Sequence, residues 1–155
     1  MSICQALGVS AGHAPLWNIK HNDFVFSCVR NPYDRAVSLF YYAQQTSPVF
    51  CEQFLKGNDG INEFWLNPDN LKRFRFGQPQ TSWLNNAQRV DKIIRFERLL
   101  DDWAEIQSMH DLPALEHKNK SQRQPWQDEL TPEAISIIGE LYADDFEHLG
   151  YERIS

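Results

Sequence analysis

Phe24-Val25-Phe26-Ser27-Cys28-Val29-Arg30-Asn31-Pro32-Tyr33-Asp34-Arg35-Ala36-Val37-Ser38-Leu39-Phe40-Tyr41-Tyr42 is the stretch on which the fold turns. Phe24 to Val29 is short, rich in β-branched and aromatic residues and apolar on both faces, which predicts a strand buried inside a parallel sheet. The strand stops at Asn31-Pro32. Beyond it, Ala36, Val37, Phe40 and Tyr41 share one face of a helix. A strand that turns directly into a helix is expected to offer free backbone N–H groups and the positive end of the helix dipole, a combination that favours a bound phosphate. Arg30 stands at that point, and its guanidinium can grip a phosphate through two parallel hydrogen bonds. Ser38, eight residues further on, can add a hydroxyl. Arg30 paired with Asp34, and Ser38 as an ordinary helix residue, are the structural alternatives.

Working outward, Lys92-Ile93-Ile94-Arg95-Phe96 reads as a second strand, followed at once by Glu97 to Trp103 with helical apolar spacing. The strand-then-helix order is that of an α/β fold. Helices are predicted around Val49 to Leu55 and Ile61 to Trp65, then an irregular stretch rich in Asn, Pro and Gln near residues 67 to 90. Thr131-Pro132-Glu133-Ala134 is a helix start, a capping Thr with Pro at the first helical position, and that helix runs towards Tyr142. Gly150 marks the end of the region. Two strands make a poor sheet, so further strands are expected in the irregular stretch or outside this sequence.

The 155 residues fit one domain, 1–155, with 42% apolar and 13% aromatic side chains, the composition of a folded globule. A net charge of −6 argues against nucleic acid as a partner. The basic residues are nevertheless grouped: Arg30 and Arg35; Lys72, Arg73 and Arg75; Lys118, Lys120 and Arg123. A small anion can use such groups, and so can a solvated face. Cys4, Cys28 and Cys51 are widely spaced without a C-x-x-C pair and are expected to be buried free thiols. His110, Asp111, Glu116 and His117 fit no usual zinc spacing, so no metal is expected. G-x-S-x-G is absent, against a hydrolase. No window reaches the roughly 18 apolar residues of a membrane span and no signal-peptide pattern opens the chain, so a soluble, cytoplasmic protein is expected.

Val29 to Tyr41 resembles the 3′-phosphate-binding motif of sulfotransferases that use 3′-phosphoadenosine-5′-phosphosulfate (PAPS), with Arg30 and Ser38 at the family's spacing. Ile94-Arg95-Phe96-Glu97-Arg98-Leu99, His117-Lys118-Asn119-Lys120-Ser121, and Leu141 to Phe146 with Gly150-Tyr151 resemble, in order, segments of the carbohydrate sulfotransferase group, including its bacterial members. The resemblance implies a phosphate-loop sulfotransferase fold with a parallel sheet, of the nucleoside triphosphate hydrolase-like class. It implies PAPS as sulfuryl donor and a hydroxyl or amine acceptor on a glycan or other small molecule. By the same resemblance Arg30 and Ser38 hold the 3′-phosphate, and Lys120, Ser121 and Arg123 sit on a loop that closes over the nucleotide. His13 then becomes the candidate catalytic base, with a helix-capping or surface histidine as the alternative. A Golgi lumenal location is expected if the chain is part of a larger eukaryotic enzyme.

Family members open with an apolar strand and a loop containing Lys, Gly and Thr-Ser that binds the 5′-phosphosulfate. The sequence contains no such loop, and Ser2 to Gly8 looks like the helix that follows it. The fold is therefore expected to lack its N-terminal strand, to expose a sheet edge open to self-association, and to be weak or inactive in catalysis. A nucleotide-binding or interaction module derived from the same fold is the alternative to an enzyme. A phosphate-loop kinase needs the full loop and a magnesium ligand, and the sequence supplies neither.

Overall fold

A computed structural model of the chain describes residues 24–54, 60–67, 70, 78–84, 90–115 and 123–154. It divides into two compact units, Met1–Arg30 with Trp83–Arg123, and Asn31–Ser82 with Gln124–Ser155.

In the first unit, β1 (Phe26–Val29) and β2 (Lys92–Arg95) pair in parallel, with Phe26 opposite Lys92 and Val29 opposite Arg95. Among the described residues the sheet has these two strands. Asp91 steadies the entry to the pair: its carboxylate accepts from the Val25 N–H at 2.8 Å, and its own N–H donates to the Val25 carbonyl at 2.8 Å. Strand β2 runs into a 3-10 turn, Phe96–Arg98, where the sequence predicted an unbroken helix from Glu97, and the α-helix proper begins two residues later. That helix packs on the sheet through Trp103 and Ile106, which meet Ile94 of β2 and Phe26 of β1. The Trp103 Nε1–H donates to the Pro113 carbonyl at 2.9 Å, which ties the chain beyond the helix back to its middle. Asp111, with a left-handed φ of 49°, ends it. The expectation of a strand buried on both faces is corrected: Val29 is buried, Phe26 and Ser27 are half-buried, and Cys28 is exposed. The thiols depart from expectation in the same way, Cys28 being exposed and Cys51 half-buried.

Among its described residues the second unit is helical, with α1 (Pro32–Thr46), α2 (Pro48–Phe54), α3 (Ile61–Leu66) and the first three residues of α4 (Gln80–Leu84), then α6 (Trp126–Glu129), α7 (Pro132–Leu141) and α8 (Ala143–Leu149); the end of α4 and all of α5 (Leu99–His110) belong to the first unit. The apolar stripe of α1 is placed as its spacing requires, Ala36, Val37 and Phe40 being buried, with Tyr33 and Ala43 extending it. Phe40 meets Phe50 and Phe64 edge-on or tilted at 5.5 to 5.8 Å between ring centroids, the offset geometries that aromatic quadrupoles favour. Tyr41 lies at the margin of the stripe, and its hydroxyl donates to Glu129 at 2.7 Å. Helix α7 starts as predicted, the Thr131 hydroxyl accepting from the Ala134 N–H with Pro132 at the first position. Gly150 closes α8 at φ 66°, a backbone state that costs glycine no steric strain. Helix α4 lies inside the stretch that the sequence marked irregular, its five residues being too few for apolar periodicity to register. Among the described residues no helix is long and apolar enough to cross a membrane.

Candidate functional site

Helix α1 begins with its amides already engaged. Pro32 has no N–H, the Asn31 side chain accepts from the N–H groups of Tyr33 at 3.0 Å and Asp34 at 3.4 Å, and the Arg35 N–H donates to the Asn31 carbonyl at 2.8 Å. The expectation of free amides for a phosphate is therefore corrected. Asn31 is the N-cap, and Asp34 places a carboxylate in the first turn, where it complements the helix dipole itself. The first three N–H groups of α1 are thus already occupied within the chain.

Arg30 leaves β1 half-buried, its guanidinium carbon lying 4.0 Å from the centroid of the Phe96 ring. Two residues before it, Cys28 has an exposed surface, yet enough protein surrounds the sulfur that desolvation raises its pKa. Glu97 adds to that rise, Arg30 opposes it and Asp102 adds a little more, leaving the thiol at about 11 and so protonated at neutral pH. Across the pair, Asp102 accepts from the Arg95 N–H at 2.7 Å and lies 3.7 Å from Arg98, which fixes the turn that carries Phe96.

Of the residues named from sequence, Arg30 and Arg123 fall in the first unit and Ser38, half-buried on α1, in the second. Arg123 is half-buried just ahead of Gln124, whose N–H donates to Glu129 at 3.3 Å. His13, Lys120 and Ser121 lie outside the described residues, as do Cys4, Lys72, Arg73, Arg75 and Lys118.

Arg35 is engaged within the second unit. Its Nη2 donates to the Gln78 carbonyl at 3.0 Å, its guanidinium carbon lies 5.0 Å over the Tyr142 ring, and its Nη1 is buried with no hydrogen-bond partner. Tyr142 is fully buried, and burial pushes its hydroxyl up to about 12, with Arg35 lowering and Asp145 raising it. Asp145, also fully buried, accepts from the Gln80 and Thr81 N–H groups at 2.8 and 2.9 Å, from the Thr81 hydroxyl at 3.0 Å and from the Gln80 amide at 3.3 Å. This network escaped the sequence reading. A signal existed: Tyr142, Asp145, Phe146 and Leu149 share one helical face, and a carboxylate inside an apolar stripe calls for partners. Exposed Asp144, Glu147 and His148 bring ligand atoms within 4.8 Å of one another, as helical neighbours at these spacings do.

The model of the sulfotransferase family matches residues 13–152. The chain belongs to the sulfotransferase family. No curated protein and no solved structure matches it. In this sulfotransferase-family chain the match takes in Arg30, Asn31, Ser38 and Phe96, together with the Arg35 and Asp145 network.

Proposed function

We propose that this sulfotransferase-family chain forms one domain of the phosphate-loop type and binds PAPS through the Arg30 and Ser38 side chains, with Lys120, Ser121 and Arg123 closing over the nucleotide. The acceptor is a hydroxyl or amine, on a carbohydrate or other small molecule. His13 takes the acceptor proton as the new bond to sulfur forms and the bond from sulfur to the 5′-phosphate oxygen breaks, leaving 3′-phosphoadenosine-5′-phosphate (PAP). The observation that carries the reading is the Val29 to Tyr41 motif within a family match, with Arg30 at the carboxyl end of a parallel strand, where ligands of open α/β sheets dock. The half-buried Arg30 guanidinium fits a multiply charged phosphate, and since Asn31 occupies the first amides of α1, that side chain is left to supply most of the binding.

Calorimetric titration with PAP tests it. Wild type is expected to bind, and Arg30→Ala to bind roughly 10- to 100-fold more weakly, the cost of losing hydrogen bonds to a charged group. Equal affinity of the two proteins would rule the site out. Sulfuryl transfer to a glycan acceptor, followed by mass spectrometry, separates an enzyme from a nucleotide-binding module built on the same fold.

A further inference from the structure

Arg35 is a cation left one acceptor short. Its Nη2 donates to the Gln78 carbonyl at 3.0 Å and its guanidinium carbon stands 5.0 Å over the Tyr142 ring, while Nη1 is buried and has no acceptor. No carboxylate answers the charge. Among the described residues Arg35 makes no ion pair, and Asp145, the buried acid of the same network, gives each of its oxygens to donors of Gln80 and Thr81. A charged donor shut off from water without an acceptor costs more than a neutral one, and a donor kept at that cost points to an acceptor that arrives with a ligand. The acceptor that suits a guanidinium is an oxyanion. One held already by a backbone carbonyl and by a ring beneath its face loses little side-chain freedom when its remaining N–H takes a phosphate oxygen. Arg35 also has the right neighbour, since it stands one turn before Ser38 on the same face of α1, and both are half-buried. Its bond to Gln78 lies at the surface of the unit, so the guanidinium is within reach of a ligand.

We propose that Arg35 is a second cation for the 3′-phosphate: a small turn of the guanidinium uncovers Nη1, which donates to a phosphate oxygen beside the Ser38 hydroxyl. The proposal rests on the reading of Ser38 given above. It adds a charge to that site from within α1 itself.

The test follows PAP binding to the full chain by calorimetry and by phosphorus NMR, in which the 3′- and 5′-phosphates give separate signals. A phosphate monoester releases its second proton at about pH 6, and a cation bonded to the dianion lowers that value. Arg35→Gln is expected to weaken PAP binding about tenfold, the loss of one hydrogen bond to a charged group. With PAP saturating, it is also expected to raise the pKa of the bound 3′-phosphate and leave the 5′-phosphate unchanged. Arg35→Lys, which keeps the charge, is expected to recover most of that pKa difference. Wild-type affinity in Arg35→Gln, weaker binding with the 3′-phosphate pKa unmoved, or equal changes at both phosphates would each overturn the proposal. Should the variants fail to fold, the wild-type protein still decides: its Arg35 side-chain nitrogen signals are expected to shift with PAP and not with adenosine, and signals unmoved by PAP would overturn the proposal. If wild type fails to bind PAP, or Arg30→Ala and Ser38→Ala both bind it as wild type does, the site itself is wrong and the role of Arg35 falls with it.

Discussion

Tyr142 carries a pH dependence that its burial dictates. Its hydroxyl is pushed up to about 12 in the folded chain, against about 10 when unfolded, first by desolvation, with Arg35 opposing and Asp145 reinforcing. The folded state therefore holds the proton where the unfolded state has lost it. The stability that the neutral phenol contributes is complete below pH 10 and is lost as pH rises through about 12. Two pKa steps correspond to roughly 2–3 kcal/mol. Urea midpoints between pH 9 and 11.5 are expected to fall steeply for wild type and more gently for Tyr142→Phe, which has no proton to lose at that position. Cys28 shares the direction of this shift but keeps an exposed surface, so its share is smaller.

At the scale of elements, a single carboxylate holds the start of α4. Helices this short are not stable alone, and α4 has Asp145 of α8 accepting from its first two backbone amides and from both side chains. Asp145→Ala leaves the two buried Thr81 donors without this partner and removes two half-buried bonds from Gln80, at an expected cost of about 3 kcal/mol in chemical unfolding. Hydrogen exchange at residues 80–84 is expected to rise well beyond the global change. If exchange there rises only in step with global stability, Asp145 is not what holds the helix. Helix α1 needs no such remote support at its start, because Asn31 caps it from the adjacent position. The same cap keeps the helix from serving as an amide cradle for an anion.

At the scale of the whole molecule, a ligand that binds only the folded state stabilises it by mass action. PAP at 100 times its dissociation constant is expected to add about 2.7 kcal/mol, which for a chain of this size raises the melting temperature by roughly 5–10 °C. Arg30→Ala at the same PAP concentration is expected to show little of that rise, and a full shift in the variant would argue that PAP binds elsewhere. Family membership does not depend on this outcome, since it follows from the match over residues 13–152.

Local grammar made much of the molecule legible. The strand before Arg30-Asn31-Pro32, the second strand at Lys92, the capped start at Thr131 and the stop at Gly150 all stand within a residue or two of where propensity, periodicity and capping put them, and the helix after Pro32 is where its apolar spacing put it but runs four residues past Tyr42, to Thr46. Each signal involves residues a few positions apart, and such residues meet however the rest of the chain is arranged. The engaged amides at Asn31 were open to the same logic, since an Asn before a proline-initiated helix is a cap before it is the floor of an anion site.

By itself, then, the sequence of Phe24 to Tyr42 determined the strand, the helix and the resemblance to the family's phosphate motif on which the proposed roles of Arg30 and Ser38 rest. Tertiary structure alone decided what the two arginines do: Arg35 turns to Gln78 and Tyr142, while Arg30 lies over Phe96. It also decided that Asp145 meets Gln80 and Thr81 across more than sixty residues of chain. These partners are set by strand register and helix packing, which bring together residues that no local pattern links.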